Sequence, residues 1–227
     1  MPLQICIDFI PAAFLSIIES FLQPFLIFRT GFALKTGIFG GTFNPIHMGH
    51  LINAQIILEM FHLDRILFVP VKAPVHKPDD PGVKAHHRLE MIMLAISGNP
   101  SFQVSGIEID RPAPSYMITT VRELKRAFPG DEFSVIIGSD SYRELDTWKD
   151  YKELLEEAVF IVMRRRGVDP DTGKYGSKSA RFYFADNPFI EISSSFVRER
   201  VRGGQTIRHI VPDAVMNYIL EKRLYVS

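Results

Sequence analysis

The amino-acid sequence predicts an α/β protein, a Rossmann-like open parallel sheet with helices on both faces. Three observations carry that expectation. Beyond residue 35, short apolar runs alternate with segments at helical spacing. Phe133–Ile137, apolar but for Ser134, and Val159–Met163, apolar throughout, read as strands covered on both faces. The first run feeds straight into a Gly-Gly pair and then a helix, a junction where such sheets place ligands.

Thr36–Phe39 is the first buried strand. Gly49–His62 follows as a helix, with Leu51, Ala54, Leu58 and Phe61 on one stripe, and Arg65–Val69 is a second short strand. The Pro-rich stretch Pro70–Val83 reads as a loop. His86–Ile96 reads as a helix, Phe102–Ile109 as one or two short strands, and Ser115–Phe128 as a helix stopped by Pro129-Gly130. After these two apolar strands, Ile190–Ile192 is expected as a last short strand. Ser193–Arg202 and Pro212–Arg223 close the chain as helices, the first stopped by Gly203-Gly204. No period of 20–50 residues recurs, which argues against a repeat architecture.

Composition narrows the function classes. With 227 residues, 46% of them apolar and 23% charged, the chain can bury a full core as one globular domain. Lys plus Arg and Asp plus Glu number 26 each, and a net charge of zero argues against a general nucleic-acid binder while leaving room for a locally basic cleft. The single cysteine, Cys6, excludes an intrachain disulfide and fits a reducing, cytoplasmic setting. Residues 1–34 differ from the rest: they are strongly apolar, with only Asp8, Glu19 and Arg29 charged. A basic leader region and a small-residue cleavage site are both missing, and Asp8, Pro11, Glu19 and Pro24 interrupt the run before it reaches spanning length. No membrane contact is therefore expected, unless through this segment acting as an interfacial or partner-binding helix with Phe14, Ile17, Ile18, Phe21, Leu22 and Phe25 on its apolar face.

Chemistry concentrates in two strings. The first, from Lys35 to Leu51, is K-T-G-I-F-G-G-T-F-N-P-I-H-M-G-H-L. Gly40 and Gly41 let the backbone turn and approach a ligand closely, and His47 and His50 sit where a helix begins, beside free backbone N–H groups; the implied ligand is a phosphate. A zinc site is disfavoured because no third or fourth ligand is suitably spaced. The second string is Ile192-Ser193-Ser194-Ser195-Phe196-Val197-Arg198. Its hydroxyls can cap a helix, and Arg198 lies four residues after Ser194 and three after Ser195, so the three share one helix face as a polyanion clamp. Asp140 follows a strand, where a carboxylate can meet a ribose or cap the next helix. Trp148, the single tryptophan, stands in a polar context suited to stacking on a ring.

The string G-G-x-F-x-P-x-H-x-G-H resembles the signature of nucleotidyltransferases related to class I aminoacyl-tRNA synthetases. Its G-G-T-F-N-P-I-H form is similar to the bacterial nicotinate-nucleotide adenylyltransferase family, and the second string resembles that family's I-S-S-T-x-x-R, with Ser195 in place of Thr. The resemblance spans residues 35–226 and implies joining of ATP and nicotinate mononucleotide to give deamido-NAD and pyrophosphate. It implies that His47, His50 and Lys77 contact phosphates and that Ser194, Ser195 and Arg198 hold the triphosphate tail. Ile38, Phe39, Gly40, Gly41 and Asp140 would meet the rest of ATP; Ser115, Tyr116, Met117, Trp148 and Arg165 would meet the acceptor. Mg²⁺ would arrive with ATP, bound mostly by water and phosphate. Met117 stands where the family usually has Thr, and Arg166 where R-R-P-G has Pro. Family members usually begin just before the first strand, so within the apolar extension 1–34 residues 1–33 are read as an over-extension of the gene ahead of an alternative start codon at Leu34, and residues 35–227 as the nucleotidyltransferase domain. Assembly into a homo-oligomer is compatible with the sequence. The rivals are adenylyltransferases acting on nicotinamide mononucleotide or phosphopantetheine, and a non-catalytic nucleotide sensor. A synthetase-like protein is disfavoured because Gly176-Ser177-Lys178-Ser179 is a poor second signature for one.

Overall fold

The computed structural model describes residues 33–72, 83–112, 114–167, 174–175 and 181–226. Among them six parallel strands form one sheet: β1 (Lys35–Gly41), β2 (Arg65–Pro70), β3 (Phe102–Val104), β4 (Glu132–Gly138), β5 (Val159–Met163) and β6 (Arg181–Ala185). Their order is β3-β2-β1-β4-β5-β6. The chain therefore winds outward from β1 to one edge, returns to its centre, and winds out to the other. The order reverses between β1 and β4, and in such sheets the ligand crevice lies outside the carboxyl ends of the strands at that point.

Period-two alternation along the strands builds two cores. Phe39, Ile66, Phe68, Ile136, Ile161 and Met163 face one side; Ile38, Leu67, Val69, Val135, Ile137, Phe160 and Val162 face the other. Helices α1 (Met48–Met60) and α2 (Ala85–Ile96), with the two C-terminal helices α7 (Ser194–Arg202) and α8 (Asp213–Glu221), cover the first side through residues such as Ile57, Met91, Val197 and Val215. Helices α4 (Met117–Ala127), α5 (Ser139–Arg143) and α6 (Tyr151–Glu157) cover the second through Ile118, Val121, Tyr142 and Leu154. A short helix, α3 (Ile107–Asp110), precedes α4.

Two elements differ from the sequence expectation. Only Phe102–Val104 of the stretch 102–109 is strand; Ile107–Asp110 winds into α3, where Ile109 and Asp110 donate N–H bonds to the Gly106 carbonyl. The last strand is Arg181–Ala185, and residues 190–192 are irregular. Ile192 supports the α1/α7 core without pairing to the sheet, whereas Phe182 to Ala185 register against Phe160 to Met163.

The amino ends of the strands are closed by Arg65. Its buried guanidinium donates to Thr36 Oγ1 at 2.8 Å, Gln103 Oε1 at 2.9 Å and Asp131 Oδ2 at 2.7 Å, and lies over the Phe128 ring. The opposite rim is thus the open one. Gly37 shows how tightly the centre is packed: a Cβ there would lie 2.7 Å from Ile136 Cδ1 and 2.9 Å from both Ile66 Cδ1 and Leu63 Cδ1. Three side-chain ends around one position would have to give together, so Gly37→Ala should cost about 1–3 kcal/mol by overpacking. Calorimetry should show a melting temperature several degrees lower; an unchanged value would mean that β1 and β2 tolerate that shift freely.

Candidate active site

The crevice is floored by the carboxyl end of β1. Ile38 and Phe39 are buried with their side chains in opposite cores, so a ligand would meet this strand end chiefly through backbone. Met117 Cε stands 3.0 Å from where a Cβ on Gly40 would be, and the Phe43 ring folds back to within 3.0–3.3 Å of the same point on Gly41. Glycine at both positions is what permits this close cover.

The loop from β1 to α1 is held from several distant parts of the chain. Arg88 on α2, fully buried, donates Nη1 to the Thr42 carbonyl and Nη2 to the Lys72 carbonyl, each at 2.8 Å, tying together the loops that follow β1 and β2. Arg198 Nη1 donates to the Asn44 carbonyl at 2.8 Å and Ser194 Oγ to the Pro45 carbonyl at 2.8 Å. The Met48 N–H donates to the Ile210 carbonyl at 2.9 Å. Within α7 the three serines divide their tasks. Ser193 Oγ accepts from the Phe196 N–H as the helix cap, Ser194 reaches the loop, and Ser195 Oγ accepts from Arg198 Nη2 at 3.1 Å.

His47 and His50 open α1 with their rings stacked, centroids 3.7 Å apart and planes at 25°. The His47 N–H donates to His50 Nδ1 at 3.2 Å, which fixes the neutral His50 tautomer: the proton sits on Nε2, leaving a donor at the helix N-terminus. Phe43 and Phe39 meet the His50 ring edge-on. Burial, followed by the charge of Arg165, pulls the His47 pKa down to about 4. Burial, then the stacked His47, then Arg165 hold His50 well below the ordinary imidazole value. Both rings are neutral at pH 7. Nδ1 of His47 is buried and makes no hydrogen bond among the described residues.

Across the crevice, Asp140 Oδ1 and Arg165 Nε form an ion pair 3.2 Å apart, set over Gly138, where any Cβ would collide with both. Arg165 is further anchored by its N–H to Ser139 Oγ at 3.1 Å. Its neighbours point elsewhere: Arg164 pairs with Asp186, and Arg166 with Glu191 at 2.9 Å. Asn187 joins β5 to α1, accepting from the Arg164 N–H and donating to Asn53 Oδ1.

The expected acceptor residues lie on the α4 side. Ser115 Oγ donates to the Glu108 carbonyl at 3.3 Å, Tyr116 forms the N-cap position of α4, and Met117 begins the helix over Gly40. Trp148 is half-buried against the core of that face. Lys77 lies outside the described residues. Arg88, Asn44 and Tyr225, whose hydroxyl donates to Asn44 Oδ1, are site-building residues that the sequence reading did not single out.

A parallel sheet that reverses at β1, a glycine-paired strand end and two neutral histidines at a helix N-terminus define a nucleotide-handling α/β protein. Comparison with known proteins makes this specific. Residues 38–200 match the cytidylyltransferase-like family model. The chain is 42% identical over 191 residues to a protein of Geobacillus thermodenitrificans named "Probable nicotinate-nucleotide adenylyltransferase", covering 84% of this chain and 86% of that protein. It is 38% identical over 214 residues to one of the same name from Citrifermentans bemidjiense, covering 86% and 99%. The fold matches that of the Plasmodium falciparum nicotinic acid mononucleotide adenylyltransferase complexed with NaAD, with a TM-score of 0.70 at 22% identity, covering 85% and 97% of the two chains. The chain belongs to the nicotinate-nucleotide adenylyltransferase family of cytidylyltransferase-like proteins.

Neutral buried histidines make the fold acid-sensitive. With its pKa lowered from 6.5 to about 4, His47 takes up its proton in the unfolded chain first. Its contribution to stability is complete above about pH 6.5 and is lost as pH falls toward 4, on the order of 3 kcal/mol in all. Melting temperature should therefore drop between pH 7 and 4.5, and drop less in His47→Gln. An identical pH dependence in the two proteins would refute the burial argument.

Proposed function

We infer that this chain catalyses adenylyl transfer from ATP to nicotinate mononucleotide, giving deamido-NAD and pyrophosphate in NAD biosynthesis. The observation that carries the reading is the His50 ring, neutral and oriented by the His47 N–H so that its Nε2–H is offered at the start of α1. An acceptor phosphate oxygen attacks the α-phosphorus of ATP, a new P–O bond forms, and the bond to the β-phosphate breaks with its electron pair leaving on pyrophosphate. The attacking phosphate is already anionic, so no strong base is needed. The protein's task is to align the two nucleotides and to stabilise charge as it moves.

In this reading His47 and His50 face the reacting phosphates, with Lys77 neutralising charge beside them. Ser194, Ser195 and Arg198 hold the triphosphate tail, and Gly40 and Gly41 give it close approach to backbone. Asp140 meets the ATP nucleoside; Ser115, Tyr116, Met117, Trp148 and Arg165 meet the acceptor. Mg²⁺, bound with ATP, neutralises phosphate charge. Phosphate oxygens and water would supply most of that ion's ligands. Residues 35–227 would carry the activity, in keeping with a strand that starts at Lys35 and a relative matched over 99% of its length by 86% of this chain. We propose a cytoplasmic setting, which the single cysteine, Cys6, supports.

Pyrophosphate release, measured with ATP, Mg²⁺ and each acceptor nucleotide in turn, tests the reaction. Nicotinate mononucleotide should give the highest kcat/KM, because an anionic carboxylate gains more from positioned donors and cations than a neutral amide does. Equal or better turnover of nicotinamide mononucleotide would reverse the assignment, and binding without pyrophosphate release would favour a sensor.

Two variants separate the roles. His50→Ala should lower kcat on the order of 10²–10³-fold with little change in the KM for ATP, as the loss of one donor to a developing charge does. Arg198→Ala should raise the KM for ATP, since its proposed partners are charged before reaction as well. Near-normal kcat in a folded His50→Ala protein would reduce His50 to a helix cap.

A further inference from the structure

Among the described residues, six non-glycine positions have left-handed backbone, and four of them gather around one loop. Phe43 (φ 48°) lies inside the β1–α1 loop. His209 (φ 66°) precedes the Ile210 carbonyl that accepts from the Met48 N–H, and Arg223 (φ 50°) and Tyr225 (φ 65°) shape the turn after α8. Residues with side chains avoid this region, and its concentration in one place marks a local constraint held by the surrounding structure. The product of that constraint is visible. The turn after α8 buries Leu224 and Tyr225 and brings the Tyr225 hydroxyl 2.6 Å from Asn44 Oδ1, a buried contact between residues 181 apart. Asn44 is the residue whose carbonyl takes the Arg198 bond, and His47 follows three positions later.

We propose that Tyr225 is a positioning residue of the transfer reaction: its hydroxyl fixes the Asn44 side chain and, through it, the backbone that presents His47 and His50. The proposal rests on the adenylyl-transfer reading of that loop. Removing the hydroxyl alone keeps the ring and its packing but leaves Asn44 Oδ1 buried without its donor, so the loop must shift to find another. Displacements of about an ångström in a catalytic group are enough to cost on the order of 10²-fold in rate.

The test compares kcat for the parent, Tyr225→Phe, Asn44→Ala and the double variant, with ATP and nicotinate mononucleotide. Each single change should lower kcat about 10- to 100-fold with both KM values within about threefold, and the double should be no slower than the worse single, because the two act through one contact. Ile219→Val, which trims the helix before the same turn, should lower the melting temperature while keeping kcat. Hydrogen exchange over residues 42–48 of the free protein gives a readout that needs no turnover: Tyr225→Phe should weaken protection there and Ile219→Val should not. The proposal is overturned if Tyr225→Phe keeps kcat within twofold, if the two single effects multiply in the double variant, or if exchange over 42–48 is unchanged. Weakened protection in Tyr225→Phe alongside a parent inactive with these substrates would support the contact and overturn the reaction assignment instead.

Discussion

The stretch from Thr42 to Ile46 leaves the sheet beneath packed layers, with Phe43 to Ile46 all buried, and its backbone acceptors must find donors inside the protein. That requirement organises the structure. Arg88, Arg198 and Ser194 each supply a donor, from positions 46, 154 and 149 residues away from their partners. Helices α2 and α7 therefore do more than cover a core. They set the path of the loop that ends at His47, so the geometry at the start of α1 depends on the chain having folded around it.

Sheet topology decides where those donors can act. Because β1 is central and the order reverses between it and β4, the ends of β1, β4 and β5 share one rim with the first turns of α1 and α7. The Arg65 cluster closes the opposite rim, joining three strands to Asp131 with its charge paired. The open rim has a different electrostatic character. Arg165, half-exposed and paired with Asp140, puts positive charge beside two imidazoles that burial keeps neutral.

Much of this was legible in the chain. Apolar runs, broken only by Ser134, located β4 and β5 because a doubly covered strand has no polar face to alternate with. The two strings around His47 and Ser194 were legible because glycines, helix-start hydroxyls and histidines meet a local need within a few residues. The missing pieces lacked such a signature. Strand β6 is short, begins with Arg181, and gains its register only from β5. The three residues Ile190–Ile192 looked more like a strand by composition but serve as packing and connection. Arg88 sits in a helix where a basic residue ordinarily faces solvent, and nothing nearby in sequence announces that it is buried against two carbonyls. Tyr225 and Asn44 are 181 residues apart, beyond the reach of any periodicity or spacing argument.

The division between neutral and charged donors follows from what the proposed chemistry demands. A triphosphate carries its charge before, during and after transfer, so a guanidinium in the role proposed for Arg198 would bind ground state and transition state alike and mostly set affinity. Charge that moves toward the bridging oxygen appears only as the bond breaks. A neutral N–H on a ring oriented by the His47 backbone and stacked on the His47 ring would gain most at that moment and little before it, which is the condition for raising kcat. A protonated His50 would bind phosphate more strongly at all stages and would repel the stacked His47 and Arg165. In the proposed reaction, burial of the two rings would serve selectivity for the transition state, and the loss of stability in acid follows from the same burial.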